Sequence, residues 1–470
     1  MTPHTRCHIA GLALIAPIVL AACGQGFGDE DLPAARAATS EKLYAGEPLW
    51  RDPQNTPHPM FNWPTLSSPP QGKALPEYWA PIPARTLPQP IMGLEHVAQV
   101  PELSSGAGIA VFGSLAVVPG FGSESAVVDL SDPQNPRVLS YFGPGNSKHG
   151  AVGTHRGAAF IAYPDGRLAT VISTDTSIEV WDLSNPAHPR RLPSLHPVQG
   201  SHKVGVVPGT PIVYNAASAG GGTPQGNLGQ GTGVTEIFDL SDPDHPVHVQ
   251  DFANGYSCHH VYFWNNLEQH KYRAICAGVE FTQIWDTTDP RNPQVIVSVP
   301  FHHGVPGAPS AAVAPEAFSH YAGLSMDGTV LLVGDENGGG SIPPGCLASV
   351  STPAGDPGTP VGAVWFYDVT DETQPLLQGW YSAANDPLVK SPAASCTAHH
   401  GRLVPDPDGR DLLAMSFYGD GVILIDFTLP TLPHAVAQFV DGSNTWETWY
   451  HNGYLITGDL SRGMDVLTFR

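Results

Sequence analysis

One short pattern recurs along this chain and constrains its fold more than any other feature. It is an apolar strand that ends in Asp, followed by a turn that closes with two prolines. The clearest copy, at residues 177–189, reads SIEVWDLSNPAHP. Neighbouring copies are mostly about 50 residues apart, a spacing that is typical of propeller repeats. The copies lie at residues 127–136, 177–189, 237–246, 284–293, 366–375 and 424–433, of which the last two are looser.

Each copy predicts a strand, a turn and a second strand. Branched and aromatic residues before the Asp favour a pleated strand. Pro ends that strand because it cannot donate a ladder hydrogen bond and because its φ is fixed. Ser, Thr and Asp side chains bond the backbone of the turn, and the second Pro restarts an extended segment. One such corner cannot bury both of its faces alone, so the pattern predicts a stack of repeats.

Two further apolar segments precede each copy, which gives four strands per unit, here called A to D. Four-stranded units around a channel are the design of a β-propeller. The last unit has only three strands, whereas a spare strand at residues 93–100 precedes the first unit. Placing this strand in the last unit removes an open sheet edge. The sequence therefore predicts an all-β, seven-bladed β-propeller of four-stranded blades over residues 91–470, with the last blade closed by an N-terminal strand.

Composition and charge agree with this fold and exclude one class of partner. Charged residues make up only 14% of the chain, which has 51 Gly and 48 Pro. These proportions suit many short strands and turns and argue against a helical protein. The formal net charge of −22 argues against nucleic acid as a partner, because phosphate binding requires a basic face.

The N-terminus is expected to be a targeting segment. An apolar run at residues 11–20 is too short to span a bilayer, and it is followed by Leu20-Ala21-Ala22-Cys23. This order resembles the bacterial lipobox, which implies a lipoprotein signal peptide at residues 1–22 and lipid attachment to Cys23. The alternative is an ordinary signal peptide that is cut nearby. Gly24 does not resemble the Asp that retains lipoproteins on the inner membrane, so we expect a cell-envelope protein anchored to the outer membrane, facing the periplasm or the surface.

Residues 23–90 are rich in Pro, Ala and Gly and are expected to form a Pro-rich tether. Its aromatic residues suggest that part of this segment packs on the folded body.

Histidines at the start of predicted A strands are the strongest indication of chemistry. When the A strands are aligned by their apolar cores, five histidines share one register. They are His155, His202, His259, His320 and His399. Because strand A is innermost in a propeller, we expect all five imidazoles at the top of the channel. Imidazole is a frequent ligand of transition metals, and three or more converging histidines are usual in a catalytic metal site. The register predicts a site for copper, zinc or iron; the alternatives are a structural or water-bonded ring and an organic-ligand site.

Further ligands are expected on the same face. The reserve histidines are His260, His400, His302 and His303. Asp335 and Glu336 follow one B strand and can add a carboxylate ligand or an acceptor that orients a ligand.

The cysteines predict two disulfides in an exported protein. Besides Cys7, which leaves with the signal, and Cys23, the chain has Cys258, Cys276, Cys346 and Cys396. We expect Cys258 to pair with Cys276, because they lie on adjacent strands of one blade, and Cys346 to pair with Cys396. The competing interpretation makes Cys258, beside His259, a soft ligand that selects copper.

From residue 93 to the end, the copies of strand-Asp-x-Ser/Thr-Asp-Pro-x-x-Pro resemble the LVIVD-repeat β-propeller proteins. The sixth copy departs from the pattern at residues 427–430, and the seventh unit lacks the turn. The resemblance implies the architecture and an exported location more than a chemistry. Similar segments occur in selenium-binding proteins and methanethiol oxidases, which are metal-linked propellers.

Two functional hypotheses follow. In the first, a lipid-anchored propeller binds a transition metal through its histidines and catalyses a redox or hydrolytic reaction. In the second, the protein is a non-catalytic module that binds a protein or glycan through long loops on the top face. Insertions at residues 218–233, 304–315 and 338–362 are expected on that face, because B–C and D–A connections share one side of a blade.

Overall fold

The protein is described here from a computed structural model. The described residues are 54–56, 58–60, 77–103, 105–122, 124–143, 154–217, 233–255, 257–278, 281–300, 319–336, 362–383, 386–389 and 396–470. Among them, no helix is both long and apolar enough to cross a membrane.

Strands in the described residues form seven sheets, each of four antiparallel strands, arranged in a ring. The first blade contains β2 (Ala110–Phe112), β3 (Leu115–Val118), β4 (Ser125–Asp129) and β5 (Arg137–Phe142). The second contains β6 (Gly157–Ala162), β7 (Leu168–Ser173), β8 (Ile178–Asp182) and β9 (Arg190–Arg191). The third contains β10 (Lys203–Val206), β11 (Ile212–Ala216), β12 (Thr235–Asp239) and β13 (Val247–Phe252).

The remaining blades follow the same order. The fourth contains β14 (His260–Asn266), β15 (Lys271–Ala277), β16 (Phe281–Asp286) and β17 (Gln294–Pro300). The fifth contains β18 (Ser319–Leu324), β19 (Val330–Asp335), β20 (Val364–Asp368) and β21 (Leu376–Tyr381). The sixth contains β22 (Gly401–Pro405), β23 (Asp411–Ser416), β24 (Val422–Asp426) and β25 (His434–Phe439). The seventh contains β26 (Thr445–His451), β27 (Tyr454–Asp459), β28 (Gly463–Phe469) and β1 (Leu94–Val100).

The closure of the ring is as predicted. Strand β1 pairs antiparallel with β28, and its register runs from Leu94 opposite Phe469 to Val100 opposite Met464. This pairing completes the seventh blade with the N-terminal strand, so the predicted fold class is confirmed. The first strand of each blade is innermost, because β2, β6, β10 and β14 contact one another in succession and β26 contacts both β22 and β2.

The repeated turn works as the sequence suggests. In all six copies the Asp that ends strand C accepts a hydrogen bond from the backbone N–H two residues later, as Asp182 does from Ser184 at 2.9 Å and Asp239 from Ser241 at 2.7 Å. In five blades the strand carries a register shift just before this corner, for example between Ile237 and Phe238. A bulge bends and twists a strand, so the corner repeats in shape as well as in sequence.

The core lies between the faces of adjacent blades. One cluster joins Tyr321 and Phe366 of the fifth blade to Leu403 and Phe427 of the sixth. The apolar residues of strands B and C are almost all buried, because blades cover both faces of their neighbours. The ring is therefore held by packing between blades, which leaves the channel free for polar side chains.

Parts of the predicted tether lie against the propeller. Trp79, in a short 3-10 helix (Glu77–Trp79), is fully buried and packs against Phe112. Residues 54–56 and His58 lie toward the end of the channel opposite the starts of the A strands. There the Gln54 side chain accepts a hydrogen bond from Leu403 N, and the Thr56 carbonyl accepts one from the Asn265 amide.

Candidate metal centre

Six histidine rings contact one another where the A strands begin, at the top of the channel. The members of this cluster, called the histidine cluster below, are His202, His259, His260, His320, His399 and His400. His320 is central, with ring centroids 4.3 Å from His259, 4.1 Å from His399 and 4.4 Å from His400. His202 extends the chain of contacts at 4.1 Å from His259, and His260 lies 4.9 Å from His400. All six side chains are buried.

Equivalent hydrogen bonds position three of these residues in three blades. The N–H of His202 donates to the Ala216 carbonyl, as that of His259 does to Ala277 and that of His399 to Ser416. His202 and His259 therefore lie one residue before the first residue pair between strands A and B, and His399 lies two residues before it. The histidines of separate blades converge because the innermost strands of a closed ring surround a common axis.

A β-bulge, rather than this hydrogen bond, places His320 in the cluster. Ser319 pairs with Asp335 and Tyr321 with Gly334, so His320 is the extra residue of a β-bulge at the start of β18. A bulge re-aims the side chain of the inserted residue.

His155 is not brought into the cluster, and the predicted register is one residue off in the second blade. The N–H that donates to the carbonyl of the paired strand there belongs to Arg156, which bonds Ser173. Because successive side chains of a strand point to opposite faces, His155 turns toward the first blade instead. It contacts the Ser125 hydroxyl, and its Nε2 lies 3.4 Å from Glu179 Oε2.

Backbone carbonyls fix the proton positions on two central rings. His320 Nδ1 lies 3.3 Å from the carbonyl oxygen of His399, and His399 Nδ1 is hydrogen-bonded to the carbonyl oxygen of Trp446. A carbonyl oxygen only accepts, so each Nδ1 carries the proton and each Nε2 of the neutral ring presents a lone pair. Metal-binding histidines are commonly oriented in this way.

Both Nε2 atoms face one buried carboxylate. Glu336 Oε2 lies 3.5 Å from His320 Nε2, and Oε1 lies 3.6 Å from His399 Nε2. Burial raises the pKa of Glu336 to about 7, and the Tyr418 hydroxyl, which donates to Oε1, opposes this rise. Lone pairs that face a carboxylate repel it unless a proton or a cation lies between them, so this geometry suits a cation.

Five of the six imidazoles of the cluster are held neutral. Burial lowers the pKa of His202, His260, His320, His399 and His400 well below its usual range, and neighbouring histidines and Lys203 lower it further. Neutral imidazole is the form that binds metal ions.

Two overlapping groups have the spacing of a metal site. One ligand atom from each of His320, His399 and His400 lies within 4.8 Å of the others, and the same holds for His259, His320 and Glu336. Within the described part of the chain, His400 Nε2 and the Nδ1 atoms of His202 and His260 are buried without a hydrogen-bond partner. Buried polar atoms normally have partners, so the unpartnered Nε2 of His400, a member of the first group, fits a site that can hold a metal ion.

The structure places only some of the other predicted ligands in the cluster. His260 and His400, the reserve histidines, are members of the cluster, whereas His302 and His303 lie outside the described residues. Asp335 is buried and accepts a hydrogen bond from Gly362 N at 3.2 Å, so it holds the chain beside Glu336.

Three residues around the cluster are missed by the sequence reasoning. Tyr418 donates to Glu336, Trp446 provides the carbonyl for His399, and the Tyr262 hydroxyl is hydrogen-bonded to His400 Nδ1. In the sequence, Trp446 lies near the position of the seventh blade that corresponds to the aligned histidines. This position is the one sequence signal for Trp446. Tyr418 adopts a positive φ of 48° in a turn, and nothing in its local sequence indicates this.

One predicted disulfide is confirmed. Cys258, two residues before β14, is bonded to Cys276 of β15, with Cα atoms 5.4 Å apart. Cys258 is therefore not available as a thiolate ligand, which overturns the competing interpretation. Cys396 is also disulfide-bonded, while its predicted partner Cys346 lies outside the described residues.

No protein-family model matches the chain, and no curated protein is significantly similar to it. The resemblance to LVIVD-repeat proteins stays a prediction.

Proposed function

We propose that this protein is a metalloprotein of the cell envelope that binds copper, zinc or iron through its histidine cluster. The observation that carries the proposal is the convergence of three buried residues, His320, His399 and His400, with ligand atoms within 4.8 Å of one another. With the Nδ1 protons of His320 and His399 fixed, the Nε2 lone pairs of both rings face the Glu336 carboxylate, and a cation can lie there.

In this proposal His320, His399 and His400 hold the metal, and His259 and Glu336 stand beside it as a further ligand or a proton acceptor. Nitrogen-rich sites of this kind suit copper, zinc and iron more than calcium or magnesium. A bound metal of this class supplies Lewis acidity or electron transfer. The residues of the chain orient the site through the Trp446 carbonyl and the Tyr418 hydroxyl, and the surrounding blades exclude bulk water.

The envelope location is proposed on two grounds. The first is the lipobox-like segment that ends in Cys23. The second is the disulfide between Cys258 and Cys276, because disulfides persist mainly in oxidising compartments. The test is to replace Cys23 by Ser in the full chain and to fractionate the cells. We expect the protein to move from the membrane to the soluble fraction, and retention in the membrane contradicts the anchor.

The metal site is tested by elemental analysis of protein that is exported and purified without a polyhistidine tag. We expect a stoichiometric amount of copper, zinc or iron that is lost in a His320→Ala, His399→Ala double variant. His155→Ala is the matched control, because its ring lies at an A-strand start but outside the cluster. Thermal unfolding of each variant shows that the fold is kept.

Protein that is metal-free as purified and binds none of the three metals on reconstitution contradicts the proposal. Equal loss of metal in the His155→Ala control also contradicts it, because that ring does not contact the cluster.

A further inference from the structure

A cavity of about 220 Å³ occupies the channel beneath the histidine cluster. Strands A of several blades line it, and Gln54 and Asn55 lie at its lower end. His260, a member of the histidine cluster, also lines the cavity, and so does Tyr262, whose hydroxyl is hydrogen-bonded to His400 Nδ1. A ligand in this cavity is therefore a neighbour of the cluster.

The charges on the cavity wall do not balance. Lys203 Nζ and Glu447 Oε2 form a buried ion pair at 3.1 Å. Arg402 also lines the cavity, but within the described residues its side chain forms no ion pair or hydrogen bond, and its Nε is buried. His451, which also lines the cavity, is kept neutral by burial, which lowers its pKa to about 4. Among the Lys, Arg, Asp and Glu side chains that line the cavity there is thus one positive charge in excess, that of Arg402.

Arg402 differs from two other partly buried arginines in the described part of the chain. Arg273 donates to both carboxylate oxygens of Glu372, and Arg410 donates to Asp406 at 2.6 Å. Arg402 instead lies over the ring of Trp449, with its guanidinium carbon 4.0 Å from the ring centroid. Stacking orients the guanidinium plane but gives its N–H donors no acceptor. A carboxylate could accept from two of these donors at once, because its two oxygens match the geometry of the guanidinium group.

We propose that this cavity binds a small organic monocarboxylate, with Arg402 holding the carboxylate and the aromatic wall holding the apolar body. The single excess charge favours a monoanion over a phosphate dianion. The size fits as well, since an engineered apolar cavity of about 150 Å³ accommodates benzene. Phe160, Phe263 and Trp449 provide the apolar wall. This binding site goes beyond the metal site and does not require it.

The test uses benzoate as the probe, with benzamide as its neutral counterpart, and the full propeller treated with a chelator. Titration calorimetry at low ionic strength is expected to show benzoate binding at least about tenfold tighter than benzamide, because the charge-assisted pair with Arg402 is available only to the anion. Inorganic phosphate is expected to bind more weakly than benzoate. Equal affinity for benzoate and benzamide, or tighter binding of phosphate, overturns the proposal.

The residue assignment is tested with Arg402→Gln, for which we expect benzoate affinity to fall about tenfold or more while benzamide affinity is unchanged. Arg410→Gln is the matched control, because Arg410 lies on the same blade outside the cavity, and it should leave benzoate binding unchanged. Arg402→Lys, which keeps the charge but loses the fork, is a second variant in case Arg402→Gln does not fold. Unchanged benzoate affinity in a folded Arg402 variant overturns the assignment. The chelator removes any bound metal from the protein in this experiment. A failure to bind benzoate would therefore contradict the carboxylate site and not the metal proposal.

Discussion

The hydroxyl of Tyr418 donates a hydrogen bond to the buried carboxylate of Glu336, and it joins a turn of the sixth blade to the end of strand B in the fifth. The carboxylate of Glu336 also faces His320 and His399. Tyr418 therefore orients a carboxylate that can join the histidines in binding a cation. This contact links two blades whose residues are 82 positions apart in the chain.

We expect Tyr418→Phe to weaken metal binding by about ten- to a hundredfold, because residues that orient metal ligands typically have effects of this size. The measurement is competition for zinc or copper against a chromophoric chelator. Tyr381→Phe is the control, since the Tyr381 hydroxyl is buried without a hydrogen-bond partner in the described structure and lies away from the cluster. Equal metal affinity of Tyr418→Phe and the unmodified protein contradicts the orienting role.

The ion pair between Lys203 and Glu447 predicts strong coupling between two residues of the channel. Both side chains are almost fully buried, so removing one partner leaves an uncompensated charge, which typically costs about 3–5 kcal/mol. We expect Lys203→Met to lower the free energy of unfolding by about this amount. The double variant Lys203→Met, Glu447→Gln should recover much of the loss, because it removes both charges.

Urea unfolding of the two single variants and the double variant gives the coupling free energy. Additive effects of the two substitutions are the outcome that rejects this prediction. Arg137→Met is a suitable control, because its ion pair with Asp129 leaves the Arg137 side chain 70% exposed, and exposed pairs contribute about 0–1 kcal/mol.

The fold could be predicted from the sequence because its signals are local and repeated. The Asp that ends each strand C bonds the turn directly after it, for example Asp239 with Ser241, so one pattern describes six blades. The closing strand could be predicted because the last unit has no strand D. The first inference uses residues that are neighbours in sequence, and the second follows from counting the strands of the repeats.

The site could be predicted only in part, because its register is set between strands. Aligning A strands by their apolar cores places His202, His259, His320 and His399 together, and the structure agrees. The alignment cannot show that Arg156 takes the equivalent position in the second blade, because that position depends on which backbone N–H bonds to the Ser173 carbonyl. The contact of Tyr418 with Glu336 depends on packing between blades, for which the sequence has no local signal.

Two glycines with positive φ provide a matched test of turn sterics. Gly421 has φ of 72° and follows Tyr418 in the turn that carries it. A Cβ at this position would lie 1.9 Å from the Phe439 carbonyl oxygen, whereas one at Gly442, with φ of 67°, would meet nothing within 4 Å. We expect Gly442→Ala to cost about 1–2 kcal/mol, the conformational cost of a left-handed residue.

For Gly421→Ala the same conformational cost applies, and a clash with backbone is added to it. We therefore expect a clearly larger loss of stability, measured by urea unfolding, together with weaker metal binding because Tyr418 is displaced. Equal costs at the two glycines would show that the turn relaxes, which contradicts the prediction.

His451 makes the stability of the fold depend on pH in a way that a single substitution can isolate. Its Nε2 donates to the Gly113 carbonyl at 2.8 Å, and burial lowers its pKa from 6.5 to about 4. Between these two values the unfolded chain binds a proton that the folded protein does not, so stability rises with pH across this range. The contribution is fully present above pH 6.5 and is lost progressively as the pH falls toward 4.

The size of the effect follows from the same shift. Between about pH 7.5 and pH 5 we expect this one residue to account for a loss of about 2 kcal/mol in the free energy of unfolding. His451→Gln keeps an N–H that can reach Gly113 but does not titrate, so its unfolding free energy should fall less over this range.

His188→Gln, at an exposed turn, is the control and should retain the pH dependence of the unmodified protein. The buried histidines of the cluster add a dependence of the same sign to every variant, so the difference between His451→Gln and His188→Gln is the diagnostic quantity. Identical pH profiles for these two variants would mean that His451 does not titrate as its burial requires.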